Sequence, residues 1–203
     1  MTARLVVLAS GSGSNLQAVL DACGNGQLDA TVSLVIINRR NAFAGERARG
    51  AGVQVEFRPM APYRQASPDA RAAREAYDRD LAGLVERASP DLVVQAGWMH
   101  LFTRSFLDRI STSVVNLHPA LPGCFPGATA IDDAWASHLE SGLDRTGVMV
   151  HLVPDEGIDD GPVVAFREVP ILADDTCDLL RERIHHVEHE LLVSAIADLL
   201  AAP

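Results

Sequence analysis

Short strand-like runs alternate with helix-compatible segments along the first half of the chain. The runs are rich in Val, Ile, Leu or aromatic residues, and each is followed by Ser, Asn, Pro or Gly, a pattern typical of buried strands. The predicted strands are Leu5–Ala9, Thr31–Ile37, Gln54–Arg58 and Leu92–Ala96, and the predicted helices between them are Ser14–Ala22, Phe43–Gly50 and Asp69–Ala88. Because strands that alternate with helices usually pair in parallel, this half predicts an α/β fold with a doubly wound, Rossmann-like sheet.

The second half is expected to add mixed C-terminal strands and a closing helix to the mostly parallel sheet. Between these elements lies a Pro/Gly-rich loop, Pro119–Gly127, which is long enough to be functional. The predicted helices are Thr103–Arg109, Ala130–Glu140 and Asp174–Leu200, and the predicted strands are Ser113–Leu117, Gly147–Pro154 and Val163–Val169. One stripe of the closing helix is apolar, which predicts that this helix covers the sheet. Asp174 or Asp175 is expected to cap its first turn.

Length and composition predict one domain that spans residues 1–203. The chain is 48% hydrophobic, enough for a sizeable core. Its 17 Lys and Arg against 27 Asp and Glu give a net charge of −10, which argues against non-specific binding to nucleic acid or anionic membranes and favours small-molecule partners. The three cysteines lack C-x-x-C spacing, and no run is long enough for a signal peptide or membrane span, so we expect a cytoplasmic protein with reduced thiols.

The loop Ser10–Asn15 follows the first predicted strand and opens the first predicted helix. Backbone N–H groups converge at such a position and favour an anion, so the loop predicts a phosphate cradle. It lacks both the Gly-Lys-Ser/Thr of a P-loop and the third glycine of a dinucleotide fingerprint, which disfavours nucleoside triphosphates and NAD. An ordinary Gly/Ser tight turn is the alternative interpretation.

Two segments about forty residues apart carry groups suited to acyl transfer. Asn116 and His118 stand at i and i+2 after an apolar run, so on a strand both side chains leave the same face. Asp159 lies in a Gly-bounded loop that can bring a carboxylate back toward that strand. An amide, an imidazole and a carboxylate suit a reaction through a tetrahedral intermediate. A core histidine and a solvated acidic loop remain the simpler alternatives for these residues taken singly.

Four segments in this order resemble the signature of the folate-dependent formyltransferases. They are Ser10–Gln17, Asn116–Leu121, Phe125–Gly127 and Asp155–Pro162, within a resemblance that runs from Leu5 to about Leu192. The first is similar to the phosphate loop of the members that act on glycinamide ribonucleotide. The resemblance implies the formyltransferase fold, with a phosphate-binding half at 1–100 and a catalytic and folate-binding half at 101–203.

The activity that this resemblance implies is transfer of the formyl group of 10-formyltetrahydrofolate to the amine of 5′-phosphoribosylglycinamide in de novo purine biosynthesis. Asn116, His118 and Asp159 match the family's catalytic residues, and His151 matches a supporting position beside them. The amine would attack directly, Asn116 and protonated His118 would stabilise the oxyanion, and Asp159 would take the amine proton directly or through water. No covalent enzyme intermediate and no metal are implied.

The resemblance also assigns binding residues for both substrates. Those for the ribonucleotide are Gly13, Ser14, Asn15, His185 and Glu188. Those for the folate are Arg74, Met99, His100, Leu101, Phe102, Asn116 and Asp155. The family usually has a basic residue where this chain has His100, whose charge is weaker and pH-dependent. For Arg74 a solvated helix charge is an equal alternative, and the apolar residues around Met99 could simply plug the sheet edge.

Several other interpretations stay open at this point. The cluster His185, His186, Glu188 and His189 invites a metal interpretation, but it lacks the H-E-x-x-H order and an obvious third ligand. Three related enzymes share the catalytic residues and remain alternatives: methionyl-tRNA formyltransferase, formyltetrahydrofolate hydrolase and sugar-nucleotide formyltransferases. The tRNA enzyme is expected to carry an additional basic domain, and the hydrolase is expected to carry an N-terminal regulatory domain. A non-catalytic binding protein is the alternative from another class. The sequence does not decide between a monomer and a homodimer.

Overall fold

The molecule is built on one seven-stranded sheet, seen in a computed structural model that describes residues 2–201. The strands are β1 (Ala3–Ala9), β2 (Ala30–Ile37), β3 (Val55–Phe57), β4 (Leu92–Gln95), β5 (Val114–His118), β6 (Arg145–Leu152) and β7 (Val163–Pro170). Their order across the sheet is β3-β2-β1-β4-β5-β6-β7. The strands β1 to β5 pair in parallel, and β6 is antiparallel to β5 and β7. The predicted α/β sheet with mixed C-terminal strands is confirmed.

Helices cover both faces of the sheet. They are α1 (Ser14–Gly24), α2 (Ala44–Gly50), α3 (Ala61–Ala66), α4 (Ala70–Ala88), α5 (Arg104–Leu107), α6 (Ala130–Ser141) and α7 (Cys177–Ala201). Buried residues of α1, α2 and α7 form one core layer, and those of α4 and α5 form the other. Alternate residues of β1 contribute to opposite layers, because successive side chains on a strand point to opposite faces. None of the helices within residues 2–201 is long and apolar enough to cross a membrane.

The sequence prediction missed α3. Pro62 lies in its first turn, where proline is compatible with a helix, and none of its residues is fully buried. A short helix without a buried stripe gives no periodic signal, which is why the sequence does not predict it. The other predicted elements differ from the structure only at their ends, with α5 shorter than expected.

The predicted cap of the last helix was wrong. The helix α7 begins at Cys177, and the Thr176 Oγ1 accepts a hydrogen bond from the Leu179 N–H at 3.2 Å. Asp175 instead accepts from the Leu172 N–H at 2.8 Å and from both terminal nitrogens of Arg183 at 2.6 and 2.7 Å. These contacts, Arg183 foremost, lower the pKa of Asp175 to about 2. Asp175 therefore links the segment that precedes α7 to Arg183 in the second turn of that helix.

We expect Asp175→Asn to lower the melting temperature at pH 7 by roughly 2–4 °C, because the substitution removes the charge paired with Arg183. A carboxylate whose folded pKa is depressed stabilises the fold above its ordinary value and loses this contribution as the pH falls toward about 2. The difference between the two proteins should therefore shrink below about pH 4. Thermal melts from pH 7 to pH 2.5 measure it. Asp178→Asn, whose side chain is 88% exposed beside Arg181, is the control, and an equal loss there would contradict the anchoring role.

Candidate active site

The carboxyl ends of β1, β4 and β5 meet at one edge of the sheet. These strands are parallel neighbours, so the segments that follow them lie side by side. Ser10 follows β1, Gly97 follows β4, and His118 ends β5. Open α/β sheets bind their ligands at this edge.

Strand pairing places a second histidine beside Asn116. The strand β6 runs antiparallel to β5 with Asn116 opposite His151. The Nδ2 of Asn116 lies 3.3 Å from the Nε2 of His151, whose Nδ1 lies 2.8 Å from the Leu152 carbonyl oxygen. A carbonyl can only accept, so Nδ1 of His151 donates to Leu152, and its Nε2 faces the Asn116 amide.

Asp159 reaches this edge from the loop between β6 and β7. Its Oδ1 accepts from the Asn116 Nδ2 at 3.0 Å, and its Oδ2 accepts from the Gly127 backbone N–H at 2.8 Å. The Nδ1 of His118 lies 3.3 Å from Oδ2, and the Nε2 of His151 lies 3.5 Å from Oδ1. The structure therefore brings Asn116, His118, His151 and Asp159 into one group.

Two opposing effects act on the Asp159 carboxyl group, whose side chain is 12% exposed. Burial raises its pKa, while hydrogen bonds from His151 and the Gly127 N–H, together with the positive charge of His118 and His151, lower it. The lowering effects prevail, so the pKa lies below its ordinary value. Asp159 is therefore ionised at neutral pH.

Both ring nitrogens of the buried His118 face hydrogen-bond acceptors. The Nδ1 faces the Asp159 carboxylate, and the Nε2 lies 3.4 Å from the Cys124 carbonyl oxygen. Only a ring protonated on both nitrogens can donate to both. This arrangement suits a group that donates a proton or a hydrogen bond to an oxyanion.

The other acidic residues of the loop lie apart from this group. Asp160 is exposed, and its carboxyl group lies so close to Gly157 that a side chain at Gly157 would collide with it. Asp155 is also exposed and accepts from the Gly157 N–H at 2.9 Å, which forms a local turn. Glu156 accepts from the Arg104 N–H at 2.9 Å. Among these neighbours Asp159 alone contacts Asn116 and His118 in the described chain. Gly127 lies in one of the segments of the resemblance, but its contact with Asp159 was not predicted, because a backbone N–H makes it.

The predicted phosphate loop lies at the start of α1. Gly13 has φ +73°, and a Cβ there would lie 2.6 Å from the Ala44 Cα, so this turn requires glycine on two counts. The first turn of α1 reads Ser-Asn-Leu-Gln and carries no acidic side chain. Its first backbone N–H groups point beyond the helix, where they and the helix dipole favour an anion. Arg47, which the sequence interpretation overlooked, donates to the Ser12 carbonyl oxygen at 2.9 Å and adds positive charge beside the loop.

The predicted ribonucleotide residues of α7 meet the phosphate loop. The Oε2 of the buried Glu188 accepts from the Asn15 Nδ2 at 3.2 Å and lies 2.7 Å from the His185 Nδ1. The i, i+3 spacing of His185 and Glu188 predicts this contact. Within residues 2–201 no group of three or more His, Cys, Asp or Glu side chains is arranged to hold a metal ion.

The predicted folate segment divides into buried and exposed side chains. Trp98 and Phe102 lie in the core, 5% and 3% exposed, and the Phe102 ring stacks on Phe106. Met99 and Leu101 are about half exposed, and their side chains are accessible to a ligand. The Met99 N–H already donates to the Ser10 Oγ at 3.0 Å, which ties this segment to the phosphate loop.

His100 does not supply the charge that was expected of it. Its ring lies between Tyr77 and Trp98, at centroid distances of 5.8 and 5.6 Å. Burial, followed by the positive charge of nearby arginines, lowers the pKa of His100 to about 4, so the ring is neutral at pH 7. Arg74 supplies positive charge at this place, and its Nη1 donates to the Leu101 carbonyl oxygen at 2.6 Å. A cavity of about 600 Å³ opens beside it, lined by Met60, Arg64, Arg71, Arg74, Leu101 and Phe102 among others.

Comparison with known proteins identifies the family. Residues 3–196 match the family described as formyl transferase. The chain is 43% identical to the phosphoribosylglycinamide formyltransferase of Schizosaccharomyces pombe over 98% of both chains, and 38% identical to that of Escherichia coli over 96% of this chain and 87% of the relative. The crystal structure of glycinamide ribonucleotide transformylase 1 from Geobacillus kaustophilus superposes with a TM-score of 0.86 at 37% identity, covering 99% of this chain and all of that one. The chain belongs to the formyl transferase family.

Proposed function

We propose that this enzyme transfers the formyl group of 10-formyltetrahydrofolate to the amine of 5′-phosphoribosylglycinamide, giving N-formylglycinamide ribonucleotide and tetrahydrofolate in purine biosynthesis. The observation that supports this most is the position of Asn116, His118 and Asp159. They lie at the same sheet edge as the anion-favouring turn after β1 and the exposed segment after β4. A phosphorylated amine and a folate bound on these two sides would meet at the three side chains.

In the proposed reaction the amine lone pair attacks the formyl carbon, and the π pair of the formyl C=O moves to oxygen. The Asn116 amide and protonated His118 stabilise that oxyanion. Asp159 accepts the proton that the amine loses, directly or through water. The tetrahedral intermediate then collapses, the bond from the formyl carbon to folate N10 breaks, and N10 takes a proton supplied by His118.

Asn116 must change partners for this reaction. Its two amide hydrogens face Asp159 Oδ1 at 3.0 Å and His151 Nε2 at 3.3 Å. The developing oxyanion therefore takes the place of one of these two contacts. The longer contact, to His151, is the one we expect to yield, which would leave Asp159 oriented throughout the reaction.

Binding roles follow for the remaining residues. The phosphate would lie on the backbone of Gly13, Ser14 and Asn15, while Glu188 accepts hydrogen bonds from the ribose hydroxyls with His185 beside it. The folate would lie along the backbone of residues 99–102 and near Asp155, with Arg74 facing its anionic tail. We propose that residues 1–100 bind the phosphate and that residues 101–203 supply the catalytic group and most of the folate site.

We also propose that the protein works in the cytoplasm on these two small molecules without a metal, nucleic acid or membrane, as a monomer or a homodimer. Cys23, Cys124 and Cys177 are free thiols in the described chain, which fits a reducing compartment. Catalysis by the three side chains needs no Lewis acid.

The direct test is formyl transfer by the purified protein, followed by folate absorbance with both substrates present. A parallel reaction omits the ribonucleotide. Turnover that requires the ribonucleotide supports the proposal. Folate deformylation without the acceptor would contradict it and indicate a hydrolase.

Asp159→Asn should lower kcat by about 10²–10³-fold, because the amide cannot take the amine proton. The backbone of Asp159 has φ +52°, a conformation that asparagine tolerates, so we expect the variant to fold. His118→Ala should cause a comparable loss. Asp160→Asn, one residue further on and exposed, is the matched control and should retain activity. A larger loss in Asp160→Asn than in Asp159→Asn would contradict the assignment.

Gly13→Ala should raise KM for the ribonucleotide about tenfold or more with a smaller effect on the folate KM, because the new Cβ displaces the turn that would bind phosphate. Gly24→Ala is the control, since Gly24 ends the same helix and a Cβ there meets no other atom within 4 Å. Steady-state kinetics with each substrate varied in turn measures the effect. Equal changes in both KM values would indicate a general disturbance of the fold.

A further inference from the structure

A buried carboxylate on α4 contacts the end of the folate segment. Asp78 is 0% exposed, and its Oδ2 accepts from both the backbone N–H and the hydroxyl of Thr103, at 2.7 and 2.8 Å. Thr103 directly follows the segment Gly97–Phe102, in which Met99 and Leu101 are exposed. Asp78 thus lies on the covered side of the segment whose outer side is accessible to a ligand.

The contact between Asp78 and Thr103 is not the ordinary arrangement for either residue. Thr103 stands at the N-cap of α5, where a threonine hydroxyl commonly accepts from the first turn, yet in residues 2–201 it makes no such bond and donates to Asp78 instead. The second carboxylate oxygen, Oδ1, is buried without a hydrogen-bond partner in the described chain. Burial raises the pKa of Asp78 even though both bonds from Thr103 oppose this. In the described chain the two bonds from Thr103 are therefore the hydrogen bonds that compensate for burying this carboxylate.

The same helix holds the segment at a second point, one turn earlier. Arg74 donates to the Leu101 carbonyl oxygen at 2.6 Å. The opposite end of the segment is attached to the phosphate loop, because the Ser10 N–H donates to the Gly97 carbonyl oxygen at 3.0 Å and the Ser10 Oγ accepts from Met99. The backbone from Met99 to Leu101 is therefore held at both ends, by Ser10 on one side and by α4 on the other. Asp78 is the buried residue of the α4 contacts.

We propose that Asp78 is a positioning residue for the folate. Through Thr103 it fixes the position and orientation of the Leu101–Phe102 backbone, so that the folate-binding segment is already in place before the folate binds. This inference rests on the proposed function, and it assigns Asp78 no contact with either substrate. Loss of the anchor leaves the segment free to move, and folate binding must then restore its order at a cost in affinity.

The experiment compares Asp78→Asn, Thr103→Val and the double variant in the full-length protein. Each single variant weakens the charge-assisted hydrogen bonds, so we expect the KM for 10-formyltetrahydrofolate to rise about tenfold, with the ribonucleotide KM and kcat within about twofold of wild type. The double variant should be less impaired than the product of the two single effects, because both act on one contact. Thr103→Ser keeps the hydroxyl and should behave like wild type.

The control is Asp91→Asn. Asp91 also accepts a backbone N–H, that of Arg4 at 2.8 Å, but it precedes β4 and therefore lies at the opposite edge of the sheet. We expect neither KM to change there, even where the melting temperature falls. If Asp78→Asn and Thr103→Val likewise lower only the melting temperature, or raise both KM values equally, Asp78 has a purely structural role and the proposal is overturned. Should Asp78→Asn fail to fold, Thr103→Val decides, because it removes only the hydroxyl donor.

Equilibrium binding of tetrahydrofolate separates this proposal from the proposed function. A wild-type protein that binds tetrahydrofolate but does not formylate the ribonucleotide would refute the proposed function alone. The positioning role would then still predict about tenfold weaker tetrahydrofolate binding in Thr103→Val, and unchanged binding would overturn it.

Discussion

The carboxylate of Asp159 is the interaction on which the geometry of the active site depends. Burial opposes its charge, yet four nitrogen atoms from β5, β6 and the loop after β5 lie around its two oxygens. Remove that charge and Asn116 and His118 lose their common acceptor, while the loop at Gly127 loses its attachment. One ionised group thus holds together three separate parts of the chain at the edge where the substrates would meet.

The backbone makes this position available to Asp159. Gly161 passes so close to the Leu152 carbonyl group that a side chain would overlap it, and Gly157 leaves room for Asp160 to fold back. Asp159 adopts φ +52° between these two glycines. The loop therefore turns each acidic residue in a definite direction, with Asp159 toward His118 and its neighbour Asp160 away from it.

The sequence predicts side-chain spacing well and local environment poorly. The i, i+2 pair Asn116 and His118 follows from strand periodicity, and the Rossmann-like sheet follows from alternating runs. Contacts made by backbone groups, such as the Gly127 N–H, cannot be predicted from the type of residue, because every residue except proline carries the same N–H group. The neutral state of His100 depends on its burial among neighbouring rings and arginines. Asp175 does not cap α7 as predicted, because its carboxylate pairs with Arg183 instead.

The most direct test of the central claim is a ¹³C NMR titration of the Asp159 carboxyl carbon, assigned by its absence in Asp159→Asn. If the surrounding donors outweigh burial, Asp159 titrates below its ordinary pKa of 3.8. In His151→Phe, which removes one donor, the pKa should rise relative to wild type. A wild-type value above 3.8 would show that burial dominates, and it would contradict the account in which this carboxylate remains charged and organises the site.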